Sequence, residues 1–168
     1  DSNVYTRLGT AKRHAFTMSY SFSHRWTSDS WMDFSIWRYK AIYNSDAHGA
    51  LYSDSAYKKK ISSASKWHDS GVVSGSGGFY HKANTGYKTL GWVANRNVVT
   101  GGKTIKAGTV MTYDQVKGVV MTADVTFTVK HALNTYTVTY KSNDSHGKVT
   151  GSTSETVGYN NSPKASVT

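Results

Sequence analysis

Phe16-Thr17-Met18-Ser19-Tyr20-Ser21-Phe22 is the stretch on which the fold class turns. Phe16, Met18, Tyr20 and Phe22 fall on one parity, and Thr17, Ser19, Ser21 and Ser23 on the other. A strand points successive side chains to opposite faces, so this segment has an apolar face and a hydroxyl face. That is the pattern of an antiparallel strand covered on one side only.

The same alternation recurs along the chain. In Trp31 to Tyr43, Met32, Phe34 and Ile36 share one parity, and Trp31, Asp33, Ser35, Trp37 and Tyr39 the other, so both faces carry aromatics. Thr109 to Tyr113 reads as extended, as does Val119 to Lys130 with Val125, Phe127 and Val129 on one face. Phe79 to Val99 reads as two strands bent at Asn84-Thr85-Gly86, and Tyr136 to Tyr140 alternates again. Turns are expected over His24 to Ser30, Asn44 to Gly49 and Asn143 to Gly147. Glu155 is the only glutamate, whereas Ser, Thr and Tyr are plentiful, a balance that disfavours helix. The nearest helical stripe, Tyr113 to Val120, is too short and ends in β-branched residues.

Many short strands with frequent turns predict an all-β protein. The expected division is an antiparallel β-sandwich over 1–100 and a smaller β unit over 101–168. Gly101-Gly102 marks the boundary, although a long hairpin turn fits that pair almost as well.

There is no cysteine, which excludes disulfides and thiolate zinc sites. The sequence opens at Asp1 with no apolar secretory segment and no membrane span, and reads as a mature portion or a piece of a longer protein. Twenty Lys and Arg against ten Asp and Glu give a formal charge of +10. Such an excess favours acidic partners. Only Lys58-Lys59-Lys60 forms a run; these three are the expected contact for an anionic polymer, with a solvated turn of solubilising lysines as the bland alternative.

Residues 136–159, with Tyr-Thr-Val-Thr-Tyr-Lys-Ser-Asn, Gly-Lys-Val-Thr-Gly and Thr-Val-Gly-Tyr, resemble the opening of an internalin-B-type repeat. Gly86-Tyr87-Lys88-Thr89-Leu90-Gly91-Trp92 is similar to the second half of such a unit, and Leu90-Gly91-Trp92-Val93 to cell-wall-binding GW modules. The runs Lys66 to Gly71 and His81 to Gly86 resemble β-sandwich modules of Gram-positive phage tails. These resemblances imply a non-catalytic extracellular module that contacts a surface.

Five Trp and twelve Tyr exceed what a core of this size buries. A Trp face stacks on the C–H face of a pyranose, and Tyr adds a hydroxyl. Trp31, Trp37 and Tyr39, with Trp26 in a turn, are therefore the expected sugar platform, flanked by Arg38 and Asp33. The bland alternative is a second core layer.

Enzyme chemistry has little support. Asp29, Asp46, Asp54 and Asp69 lie in turn-like contexts, whereas glycoside hydrolysis needs two carboxylates across a cleft. No Gly-x-Ser-x-Gly elbow occurs. The seven histidines are widely spaced and form no zinc motif, and Asn143-Asp144 lacks the spaced carboxylates of a calcium loop, so no metal and no cofactor is expected. Single-stranded nucleic acid fits less well, because no RRM, KH or cold-shock signature occurs and basic residues do not cluster with the aromatics. The expectation is an extracellular or cell-surface module binding a surface polysaccharide or cell-wall polymer. A structural or adhesin module facing a host surface protein, and a glycan-active hydrolase, are the alternatives.

Overall fold

The alternating segment at the start of the chain becomes one arm of a long hairpin. In the computed structural model, which describes residues 14–23, 29–142, 145–151 and 153–164, β1 (His14–Ser23) pairs antiparallel with β2 (Asp29–Ser45), from His14 opposite Arg38 to Ser23 opposite Asp29. The expected turns at 24–30 and 143–147 fall partly on residues 24–28 and 143–144, outside the described residues.

Ten further strands follow: β3 (Gly49–Tyr52), β4 (Lys60–Ile61), β5 (Ala64–Asp69), β6 (Tyr80–Ala83), β7 (Tyr87–Ala94), β8 (Val98–Thr100), β9 (Lys103–Ile105), β10 (Val125–Leu133), β11 (Thr135–Thr139) and β12 (Ser154–Gly158), with the single-turn helix α1 (Tyr113–Lys117) between β9 and β10. The all-β expectation holds. The main sheet runs β1-β2-β10-β7, with β5 also on β2, and β4-β3-β6 form a second, three-stranded sheet. Pairing is antiparallel except where β10 runs parallel to β2, Val125 opposite Ala41 through Val129 opposite Ser45. Local periodicity carries no sign of strand direction, and parallel neighbours need a long connection, here the whole of residues 46–124.

β10 is the spine of the core. Val125, Phe127, Val129 and His131 point inward on one parity. Phe127 stacks on Tyr43 of β2 with ring centroids 5.5 Å apart, and Trp92 of β7 meets Tyr43 edge-on at 6.2 Å. Leu51 and Ile61 of the three-stranded sheet close the same core from the other side.

Val98, Met111, Val116, Val119 and Met121 belong to that core, so residues on both sides of 100/101 share one sheet and one interior. Gly101-Gly102 is the hairpin turn between β8 and β9. The sequence 109–113 does not form a strand. Met111 makes one bridge to Trp92, and Thr112 then caps α1. Thr112 and Gln115 exchange side chain to backbone bonds, the capping box that a Thr-x-x-Gln spacing allows. The bend expected at 84–86 joins β6 to β7, with Gly86 at φ +83 as only glycine tolerates well. Among the described residues no helix is long and apolar enough to cross a membrane.

Candidate functional site

The residues expected to form a sugar platform have different fates. Trp26 lies outside the described residues. For Trp31 and Asp33 the structure gives the backbone, on β2 opposite Ser21 and Ser19 of β1. Trp37 is half exposed, whereas Tyr39, two residues on, packs against the core beside Ala41 and Tyr43. Tyr39 is thus a core-boundary residue rather than part of an open strip.

Arg38 points to the other face and is used by the fold. Its Nε sits 3.1 Å from Asp69 Oδ1, without the angle of a hydrogen bond, and Nη2 donates to the Trp67 carbonyl at 3.3 Å. Lys40, also on this face, lies 5.7 Å from the ring of Trp67, its cross-strand neighbour.

The lysine run behaves differently. Lys58, Lys59 and Lys60 are exposed, at the end of a loop organised by Asp54. The Asp54 carboxylate accepts from the backbone N–H of Lys58 at 3.1 Å and of Lys59 at 2.6 Å. Hydrogen bonding from Lys59, outweighing desolvation, holds its pKa below the usual carboxylate value. The loop turns through Tyr57, a non-glycine residue at φ +55, where an L side chain crowds its own backbone.

This loop delivers the lysines to a tyrosine face. Directly opposite residues in neighbouring strands share a face. Tyr52 of β3 is opposite Lys60 of β4 on one side and Tyr80 of β6 on the other, and Ala50 is opposite Lys82. Tyr57 meets Tyr52 edge-on at 5.5 Å, and Lys82 Nζ lies 5.4 Å from the Tyr57 ring centre. The outer face of β4-β3-β6 therefore interleaves Tyr52, Tyr57 and Tyr80 with Lys60 and Lys82, beside Lys58 and Lys59. Basic residues and aromatics do cluster, contrary to their spacing in the sequence, because β3 pairs with strands on either side of it.

The inner face of the same sheet carries a different assembly. His81, next to Tyr80 and pointing inward with Leu51, brings its Nε2 to 2.7 Å from Nε2 of His131 on β10. His131 Nδ1 is 2.6 Å from Asp46 Oδ1, and Asp46 Oδ2 accepts the His131 backbone N–H at 2.9 Å. Burial raises the Asp46 pKa, but the bonds from His131 and from the His48 backbone outweigh it and the net shift is downward. Burial, then the neighbouring His131, lowers the pKa of His81, with Asp46 opposing. The His131 side chain is completely buried and Asp46 is 17% exposed.

His81 also lines a cleft of about 380 Å³ with Phe79, Leu90, Trp92 and Tyr113. Trp92 packs against Phe79 at 5.5 Å and Tyr113 at 5.6 Å. Among the described residues no three His, Asp or Glu side chains gather as metal ligands.

Sequence reasoning did not find the Asp46-His131-His81 chain, because its members are 85 and 50 residues apart. One signal was present: His131 continues the inward parity of Val125, Phe127 and Val129, and a histidine on such a face needs a buried partner. No family model, curated protein or solved structure matches this chain.

Proposed function

We propose that this chain is a non-catalytic recognition module that takes an acidic surface glycan or cell-envelope polymer on the outer face of β4-β3-β6. One observation carries the reading: Tyr52, Tyr57 and Tyr80 interleave with Lys60 and Lys82 on one sheet face, with Lys58 and Lys59 at its edge. Tyrosine edges and hydroxyls suit sugar rings, and the lysines suit carboxylate or phosphate groups along a polymer. Tyr57 supports the reading further. Its left-handed backbone costs on the order of 1 kcal/mol, a strain that persists where surrounding structure holds a side chain in place for use. On this reading the module works outside the cell or at its surface, and Trp37 extends the contact only if the polymer reaches β2.

The experiment is an affinity measurement on a polyuronate, a neutral glucan and single-stranded oligothymidylate, at low and high salt. The reading expects salt-sensitive binding to the polyuronate. Exposed charge pairs contribute about 0.2–1 kcal/mol each, so replacing Lys58, Lys59 and Lys60 together by Ala should weaken it roughly tenfold. Oligothymidylate bound more tightly than any polyuronate through the same lysines would replace the glycan reading with single-stranded nucleic acid. Neutral glucan bound regardless of salt would shift the contact to other aromatics.

A further inference from the structure

The hydrogen-bond chain behind the cleft decides what can fill it. A carboxylate only accepts, so Nδ1 of His131, 2.6 Å from Asp46, carries a proton. With both imidazoles neutral, Nε2 of His131 has a lone pair and accepts the Nε2–H of His81 across 2.7 Å. That leaves Nδ1 of His81 as an acceptor, on a residue that lines an otherwise mostly apolar cleft. A pyranose, with a hydroxyl on nearly every carbon, would leave most of them unpaired there. A planar ring with one donor would not.

We infer that the cleft is a second binding site, for a small aromatic molecule bearing a single O–H or N–H donor, a phenol or an indole. Its ring lies among Phe79, Trp92 and Tyr113, and its donor goes to Nδ1 of His81. The volume of about 380 Å³ is at the lower end of the roughly 300–1,000 Å³ of small-molecule pockets. Aromatic walls meet an aromatic guest in the tilted and edge-on arrangements they already adopt with one another. The site does not rest on polymer binding at the outer face, although Tyr80 borders both.

One added proton reverses the selectivity. If His81 takes it, Nδ1 becomes N–H. If His131 takes it on Nε2, His81 must accept there and hold its own proton on Nδ1. In either arrangement that keeps the contact between the rings, the cleft loses its acceptor and gains a donor. The titratable groups acting on His81 are His131 from β10 and Asp46 behind it; Trp92 of β7 packs edge-on against its ring at 6.2 Å, and Tyr113 of α1 lines the same cleft. Burial and His131 hold the His81 pKa below its ordinary 6.5, so the acceptor form prevails at neutral pH and is lost on acidification.

The test is titration of the whole chain with p-cresol, toluene and benzoate at about pH 8 and at an acidic pH where the ring nitrogens of His81 report the added proton, followed by proton–nitrogen correlation NMR. At the higher pH p-cresol should bind about tenfold more tightly than toluene, the effect of one good hydrogen bond, and shift the amides of 79–81 and 89–92. At the lower pH that advantage should disappear and benzoate should bind best. His81→Phe should abolish the p-cresol advantage. Leu90→Trp, at a half-exposed position on the rim, should weaken all three ligands without touching the core. Absence of binding by all three at millimolar concentration overturns the inference. So does equal binding of p-cresol and toluene at both pH values, or p-cresol binding that Leu90→Trp leaves intact.

Discussion

Gly49 leaves the space that the His131 imidazole occupies: a Cβ at position 49 would lie 2.5 Å from Nε2 of that ring. The contact ties the start of β3 to the end of β10 and keeps His131 between Asp46 and His81. Gly49→Ala should push the ring off both partners. Overpacking of this kind costs about 1–3 kcal/mol, read by urea denaturation. The imidazole nitrogen resonances of His81 and His131 should change with it. An alanine variant of native stability with unchanged rings would show that the chain of bonds tolerates displacement.

Stability should fall in two stages as pH is lowered. His81 has a folded-state pKa below its ordinary 6.5, from burial and His131. The unfolded chain therefore binds more protons as pH drops below that value, and stability, complete above it, declines until the folded pKa is reached. His68 is shifted the same way by burial, Lys66 and Arg38, and adds to the decline. Asp46 runs the second stage. Its pKa is depressed below 3.8, so its contribution is present above that value and lost as pH falls through the folded pKa. Urea midpoints measured across the range should show both stages, and a midpoint constant from neutrality to about pH 4 would contradict them.

Thr112 caps α1 and, through Gln115, holds a helix whose Val116 is fully buried. Thr112→Ala should cost about 1 kcal/mol, while Thr112→Ser should retain most of the stability. Equal denaturation midpoints for the two variants would mean that packing of Val116 alone fixes this turn.

Tyr57 separates stability from binding. Because its φ of +55 suits glycine, Tyr57→Gly should leave stability within about 1 kcal/mol of the parent, as backbone relief offsets the lost contacts to Tyr52 and Lys82. Polymer binding should nevertheless fall severalfold. A variant that loses stability and keeps its affinity would make Tyr57 a structural residue.

Period-two alternation made β1, β2, β10 and β11 legible in the sequence; in β10 it separates a dry face from a wetter one, whereas β11 alternates yet stays exposed along most of its length. Partners were not legible. That β10 lies parallel to β2 and antiparallel to β7 depends on contacts across 33 to 84 residues, to which local patterning is blind. The same blindness governed the site. Lys58-Lys59-Lys60 stood out as a run, but its tyrosine neighbours appear only when β3 takes β4 on one edge and β6 on the other. Trp31 and Trp37 drew attention as large aromatics on one parity, and parity alone does not say which face a second layer covers. Asp46 read as a turn aspartate and is one, accepting the His48 backbone N–H, yet its carboxylate also anchors a histidine 85 residues away.

The decisive measurement maps the amide and lysine ammonium shifts of the chain during titration with a short oligouronate. Saturable changes centred on Tyr52, Tyr57, Lys58, Lys59, Lys60, Tyr80 and Lys82 are expected, shrinking as salt is raised. Changes centred instead on Trp37 and Trp67, or none at millimolar ligand, would contradict binding at the outer face of β4-β3-β6.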